Sequence, residues 1–189
     1  MQLATIFGGH RQSGNTATLL GWVEDAARQR GHTVSRVQLD GMEIHGCRGC
    51  YACGEHTDEP GCVVKDDAYQ AYAAMIEADA ILFATPLYMW SYVGPLKTFI
   101  DRCVSLATGY MTPEHASLVE GKPCGLLVSA GGPVAGNADA IQVIFPRWED
   151  YLKVDARGIW VFPNCTTPDK LGDDAKSRAQ EIVGALLGG

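Results

Sequence analysis

The chain has 189 residues, 47% of them apolar and 20% charged, and a formal net charge of -7; that size and mix suit one ordered α/β unit and exclude a disordered polymer. The acidic balance, with no basic stripe, argues against a nucleic-acid partner, whose affinity rests on Lys and Arg displacing counterions. No apolar run approaches membrane-spanning length, and the opening Met-Gln-Leu-Ala-Thr-Ile-Phe lacks the features of a secretory signal, so a cytoplasmic enzyme with no membrane partner is the expectation.

Taken in order, Leu3 to Phe7 reads as a short strand, followed by a Gly-rich turn and a helix with apolar positions at Leu19, Leu20, Val23, Ala26 and Ala27. Gly31 closes that helix. Val34 to Leu39 is a second strand, and residues 40 to 65 form a long connection rich in Gly and Cys, of the kind that usually carries function. Asp66 and Asp67 open a helix, and the continuous run Ala80 to Ala84 is a strand covered on both faces. An aromatic loop from Thr85 to Gly94 precedes a helix opened by Pro95. Cys124 to Ser129 is a fourth strand and Ala130 to Gly136 a second Gly-rich turn. The helix from Asn137 to Leu152 should be kinked or split by Pro146. Ile159 to Phe162 is a fifth strand, and residues 169 to 187 a closing helix.

Strands alternating with helices imply an α/β fold with a parallel sheet and right-handed crossovers. Strand order 2-1-3-4-5 gives a flavodoxin-like three-layer sandwich, expected here as a single domain over residues 1 to 189 with the Cys-rich loop 40 to 65 inserted. Ligands of such sheets bind at the carboxyl ends of the strands, which selects the loops 8 to 16, 85 to 94 and 130 to 136.

Residues 9 to 16, Gly-His-Arg-Gln-Ser-Gly-Asn-Thr, form a strand-to-helix turn in which backbone N–H groups and the helix dipole make an anion site. Ser13, Asn15 and Thr16 can add side-chain donors and Arg11 a charge, Gly9 and Gly14 permit close backbone approach, and His10 reads either as a phosphate ligand or as an exposed loop histidine without that role. Asn15 stands where a nucleotide triphosphatase would place its lysine, and no G-x-G-x-x-G is present, so a monophosphate fits better than a triphosphate or pyrophosphate. A plain helix cap remains the alternative.

Residues 85 to 103, Thr-Pro-Leu-Tyr-Met-Trp-Ser-Tyr-Val-Gly-Pro-Leu-Lys-Thr-Phe-Ile-Asp-Arg-Cys, resemble the second signature of the NADPH-dependent FMN reductase family and its iron-sulfur flavoprotein branch, and the phosphate loop resembles that family's first. The resemblance implies flavin mononucleotide (FMN), with Pro86, Leu87, Tyr88, Met89 and Trp90 lining the flavin and Gly131 and Gly132 completing its other edge. Gly9 and His10 depart from the Ser and Pro usual in the family. It further implies electron transfer from NAD(P)H, or from a cluster or protein donor, to a small acceptor such as a quinone or flavin. Tyr88 and Tyr92 would pack on the ring, and Met89, Trp90 and Tyr92 would meet a second subunit of a homodimer or homotetramer. The alternatives are an electron carrier without its own substrate, which the long loops 40 to 65 and 105 to 121 speak against, and a cofactor-free redox or metal module.

Cys47, Cys50, Cys53 and Cys62 give C-x2-C-x2-C-x8-C. Three thiolates at this interval can wrap one face of a cubane; free or reversibly oxidised thiols and zinc are the other readings. In the iron-sulfur branch a compact motif of this kind holds a 4Fe-4S cluster, although the last gap here is longer than usual. Cys103 and Cys124 read as small core residues, and Cys165 carries no assignment.

Overall fold

The computed structural model describes residues 1–55, 58–110 and 112–188. His56 and Thr57 of the long Cys loop, and Met111 of the 105 to 121 loop, lie outside the described residues. The elements in chain order are β1 (Gln2–Phe7), α1 (Asn15–Gln29), β2 (Thr33–Gln38), α2 (Ala68–Glu77), β3 (Ala80–Pro86), α3 (Gly94–Arg102), β4 (Ala107–Thr108), β5 (Ala116–Ser117), β6 (Pro123–Ser129), α4 (Asp139–Leu152), β7 (Asp155–Phe162) and α5 (Asp173–Leu187), with short 3-10 turns at Ala52–Glu55, Cys103–Leu106 and Pro168–Lys170.

β1, β2, β3, β6 and β7 form one parallel sheet in the order β2-β1-β3-β6-β7, the expected 2-1-3-4-5 arrangement with a two-stranded antiparallel ribbon, β4 and β5, interposed in the chain. The ribbon was not expected, because two-residue strands carry no periodic signal. Side chains of each strand alternate between two cores: Ile81 and Phe83 of β3 join Leu96, Phe99, Ile141 and Phe145 on the side of α3 and α4, whereas Leu82 and Ala84 join Leu20, Val23, Ile182 and Leu186 on the side of α1 and α5. β1, β3 and β6 are buried almost throughout, while edge strand β2 is not. This is why the central strands read as apolar runs.

Gly31, at φ +81°, ends α1 with its N–H on the Arg28 carbonyl and the His32 N–H on the Ala27 carbonyl, the paired bonds of a Schellman cap. β7 begins four residues before the expected start, where Gly158 at φ +138° and a register shift at Cys124/Gly125 obscure the pattern. α4 runs unbroken through Pro146, so the expected split does not occur. The proline forfeits one backbone bond, but Phe145 beside it is fully buried, with its ring 5.8 Å from Phe83 and 5.6 Å from Trp148, and this packing holds both halves of the helix on the sheet.

Candidate functional site

The carboxyl ends of β1, β3 and β6 enclose a cavity of about 40 Å³ lined by Phe7, Gly9, His10, Arg11, Gly14, Asn15, Thr16, Pro86, Tyr88 and Ser129. The first loop is fixed from below. A Cβ on Gly8 would lie 2.5 Å from Leu96 Cβ, so only glycine lets the end of β1 pass this close to α3, and the Gly8 N–H bonds the Ala84 carbonyl. Gln38 Nε2 holds the Gly9 carbonyl at 2.8 Å. Gly14 then caps α1 without a side-chain hydrogen bond, and the first turn carries no acidic residue, leaving its amide groups and dipole turned toward the cavity.

The side chains do less phosphate-directed work than the sequence suggests. Thr16 Oγ1 lies 2.6 Å from Ser129 Oγ, both residues buried, and Asn15 Nδ2 donates to the Thr166 carbonyl at 3.2 Å. Asn15 therefore presents its carbonyl oxygen instead of its amide, and that Oδ1 is buried with no partner among the described residues. His10 Nδ1 lies 2.6 Å from Asp40 Oδ1, so its ring is oriented by a carboxylate. Ser13 and Arg11 are exposed. Ser129, Asp40 and Thr166 escaped the sequence reading. Only Ser129 had a signal, as the last residue of a strand at the ligand-binding end.

After β3 the chain turns sharply. Leu87 N–H bonds the Ser129 carbonyl, Tyr88 and Ser91 exchange backbone bonds, and Met89 and Trp90 between them stand at φ +47° and +62°. Two left-handed residues at the centre of a tight turn normally call for Asn or Gly; bulky side chains there hold backbone strain of the kind found at ligand sites. The turn pushes Met89 and Trp90 into solvent, 81% and 54% exposed, beside half-open Tyr88. Leu87 packs on the core instead. Tyr92 does not belong to this patch: it is 7% exposed, and burial, with Glu149 nearby, pushes its hydroxyl well above the ordinary range. Gly131 and Gly132 begin the loop after β6. The Gly132 carbonyl accepts from Asn164 N–H, and neither lines the small cavity.

A second cavity, of about 110 Å³, is lined by Cys47, Cys50, Cys53 and Cys62 with Val63, Val64 and Arg102 among their neighbours. All four thiols are unpaired. Gly49 and Tyr51, at φ +62° and +60°, curl the backbone between the first three, and Gly49 N–H approaches Cys47 Sγ at 3.5 Å. Burial, then Cys62, Cys47 and Cys50 as neighbouring thiols, push the Cys53 thiol up. The loop's ends are gathered by Arg102, whose Nη1 donates to the His45 carbonyl and Asp66 Oδ2 and whose Nη2 donates to the Val64 carbonyl and Asp66 Oδ1. Burial alone would raise the Asp66 carboxyl, but bonds from Arg102, His45 N–H and Ala68 N–H hold it below the usual range.

Among the described residues no three His, Cys, Asp or Glu side chains converge closely enough for one metal ion. A zinc ion with Zn–S near 2.3 Å needs its thiolates about 3.8 Å apart, whereas a cubane spreads four thiolates over four irons. The four-cysteine cavity fits the larger group better, and the Arg102 Nε–H, buried without a partner among the described residues, is a donor suited to sulfur. Cys103 and Cys124 are buried core residues. The loop from 105 to 121 packs its Tyr110 ring 5.9 Å from Tyr51 of the Cys loop. Among the described residues no helix is long and apolar enough to cross a membrane.

The order of the sheet, with a small cavity at its carboxyl end beside the start of α1, defines a flavodoxin-like α/β protein. Residues 1–152 match the family described as NADPH-dependent FMN reductase, and the chain belongs to that family. It is 34% identical over 106 residues to an iron-sulfur flavoprotein of Methanosarcina thermophila, covering 56% of this chain and 54% of that one, so it spans about half the length of that relative. It is 28% identical over 184 residues to an iron-sulfur flavoprotein of Archaeoglobus fulgidus, covering 96% and 77%. In fold it is similar to an NAD(P)H:quinone oxidoreductase from Methanothermobacter marburgensis, with TM-score 0.75 and 17% identity over 99% of this chain and 98% of that one. An FMN-dependent NADH-azoreductase of Bacillus anthracis in complex with FMN gives TM-score 0.68 and 11% identity over 98% and 99%.

Proposed function

We propose that the protein is an FMN-dependent oxidoreductase that takes electrons from NAD(P)H, or from a cluster or protein donor, and passes them to a small acceptor such as a quinone or flavin. The observation that carries this reading is the junction of an uncapped helix N-terminus with an exposed aromatic turn at one end of the sheet. His10, Arg11, Ser13, Gly14, Asn15 and Thr16 would hold the phosphate, chiefly through backbone N–H groups. The orphaned Asn15 Oδ1 wants a hydroxyl donor, which a sugar-alcohol chain supplies and a phosphate does not. Pro86, Leu87, Tyr88, Met89 and Trp90 would support the ring, with Gly131 and Gly132 at its edge. When bound, FMN supplies hydride and single-electron chemistry; the chain orients it and screens it from water.

In this reading Cys47, Cys50, Cys53 and Cys62 hold a 4Fe-4S cluster, supported by their common cavity, the orphaned Arg102 donor and the names of the relatives. Residues 1 to 189 act as one unit with the Cys loop as an insertion. It works in the cytoplasm as a homodimer or homotetramer, for which exposed Met89 and Trp90 offer an apolar contact surface. Steady-state oxidation of NADH and NADPH with quinone and flavin acceptors tests the enzyme reading. Turnover with at least one pair is expected; bound FMN without turnover on either nicotinamide would make the protein an electron carrier instead.

A further inference from the structure

Arg102 is 1% exposed, at the end of the inner face of α3 that carries the core residues Leu96 and Phe99, and is followed by buried Cys103. A guanidinium has five N–H donors. Four are taken up by the His45 and Val64 carbonyls and the two Asp66 oxygens, at 2.7 to 3.1 Å. The fifth, on Nε, has no partner among the described residues although it is shut off from solvent. A residue that served only to staple the loop would leave no donor stranded, because a buried unpaired N–H keeps its full desolvation penalty. The same residue forms part of the wall of the four-cysteine cavity, as the buried cation beside exposed Arg48, so its charge lies close to the sulfurs from the protein side.

We propose that Arg102 is a positioning residue that sets the reduction potential of the four-cysteine site: it draws the two ends of the loop together and presents its free Nε–H and its charge to the sulfurs of a bound 4Fe-4S cluster. This rests on the cluster reading above. Reduction adds one electron, and hence one negative charge, to the cluster. A nearby cation favours the reduced form and raises the potential, while hydrogen bonds to sulfur act in the same direction. Asp66 opposes this, since its carboxylate lies behind the guanidinium at 2.8 Å and cancels part of the field.

The pair makes a signed test. The full chain, wild type and variants, is reconstituted anaerobically with iron and sulfide, iron is counted, and the midpoint is followed by electron paramagnetic resonance during a mediated redox titration. Arg102→Gln should shift the midpoint down, Asp66→Asn should shift it up, and Arg102→Lys, which keeps the charge but not the fork, should lie nearest wild type. If Arg102→Gln does not fold, Asp66→Asn and Arg102→Lys still carry the comparison. Iron-loaded variants whose midpoints do not move, or that move in the same direction for the Gln and Asn changes, overturn the assignment and leave the cluster reading intact. Failure of the wild type to take up iron overturns the cluster reading and this assignment together.

Discussion

The two cavities of this molecule are built in opposite ways. The phosphate loop is set by regular structure on every side: β1 delivers it, α1 receives it, α3 presses on Gly8, and Gln38 and Ser129 fix its polar groups. In the proposed reading its binding groups are mostly backbone, so its shape exists before any ligand arrives. Among its described residues the Cys loop has one short 3-10 turn, at Ala52–Glu55, and its ends are tied by the buried Arg102–Asp66 ion pair. Its four thiols share a cavity without converging on one point. A site made of main chain at a sheet edge is preorganised, whereas one made of side chains on a loop gains its final order from what it binds.

That contrast predicts that the two sites fail independently. Asp66→Ala leaves the Arg102 charge buried and unpaired, which should cost about 3 to 5 kcal/mol and strip iron binding, with FMN affinity unchanged. Urea unfolding followed by flavin fluorescence titration checks both halves, and a parallel loss of FMN affinity would erase the distinction. Gly8→Ala should do the reverse, costing about 1 to 3 kcal/mol through overpacking against Leu96 and weakening FMN while iron content stays constant.

A change outside both cavities calibrates them. Glu149 is 3% exposed, its Oε1 lacks a partner among the described residues, and burial, then Asp150 nearby, raise its carboxyl from the ordinary 4.5 to about 7. Below pH 4.5 folded and unfolded chains are both protonated and nothing is lost. As pH rises toward 7 the unfolded chain releases its proton first, so stability falls, and the penalty is complete above 7. Glu149→Gln should flatten this slope and add on the order of 2 kcal/mol at pH 8, with both ligands bound as before. The smallest effect is expected for Thr16→Val, which removes the bond to Ser129 and should cost about 1 kcal/mol, read by thermal unfolding.

The sheet was legible because β1, β3 and β6 are buried on both faces and carry no polar alternation to confuse them. The position of the cavity at the carboxyl ends of the strands followed from topology, and the gathering of His10, Arg11, Gly14, Asn15 and Thr16 with Pro86 and Tyr88 around it followed from the loops that carry them. Side-chain direction did not. Asn15 turns its amide to Thr166 and Tyr92 turns inward, outcomes set by partners remote in the chain. Arg102 could have been noticed, since it falls three residues after Phe99 on an apolar helix stripe. Pro146 misled because local backbone cost was weighed without the aromatic packing that offsets it.

The measurement closest to the central claim compares two ligands that differ only by the phosphate. If amide groups at the start of α1 grip that anion, FMN should bind roughly 100-fold or more tightly than riboflavin, as expected for a few charge-assisted hydrogen bonds. Equal dissociation constants for the two flavins would contradict it.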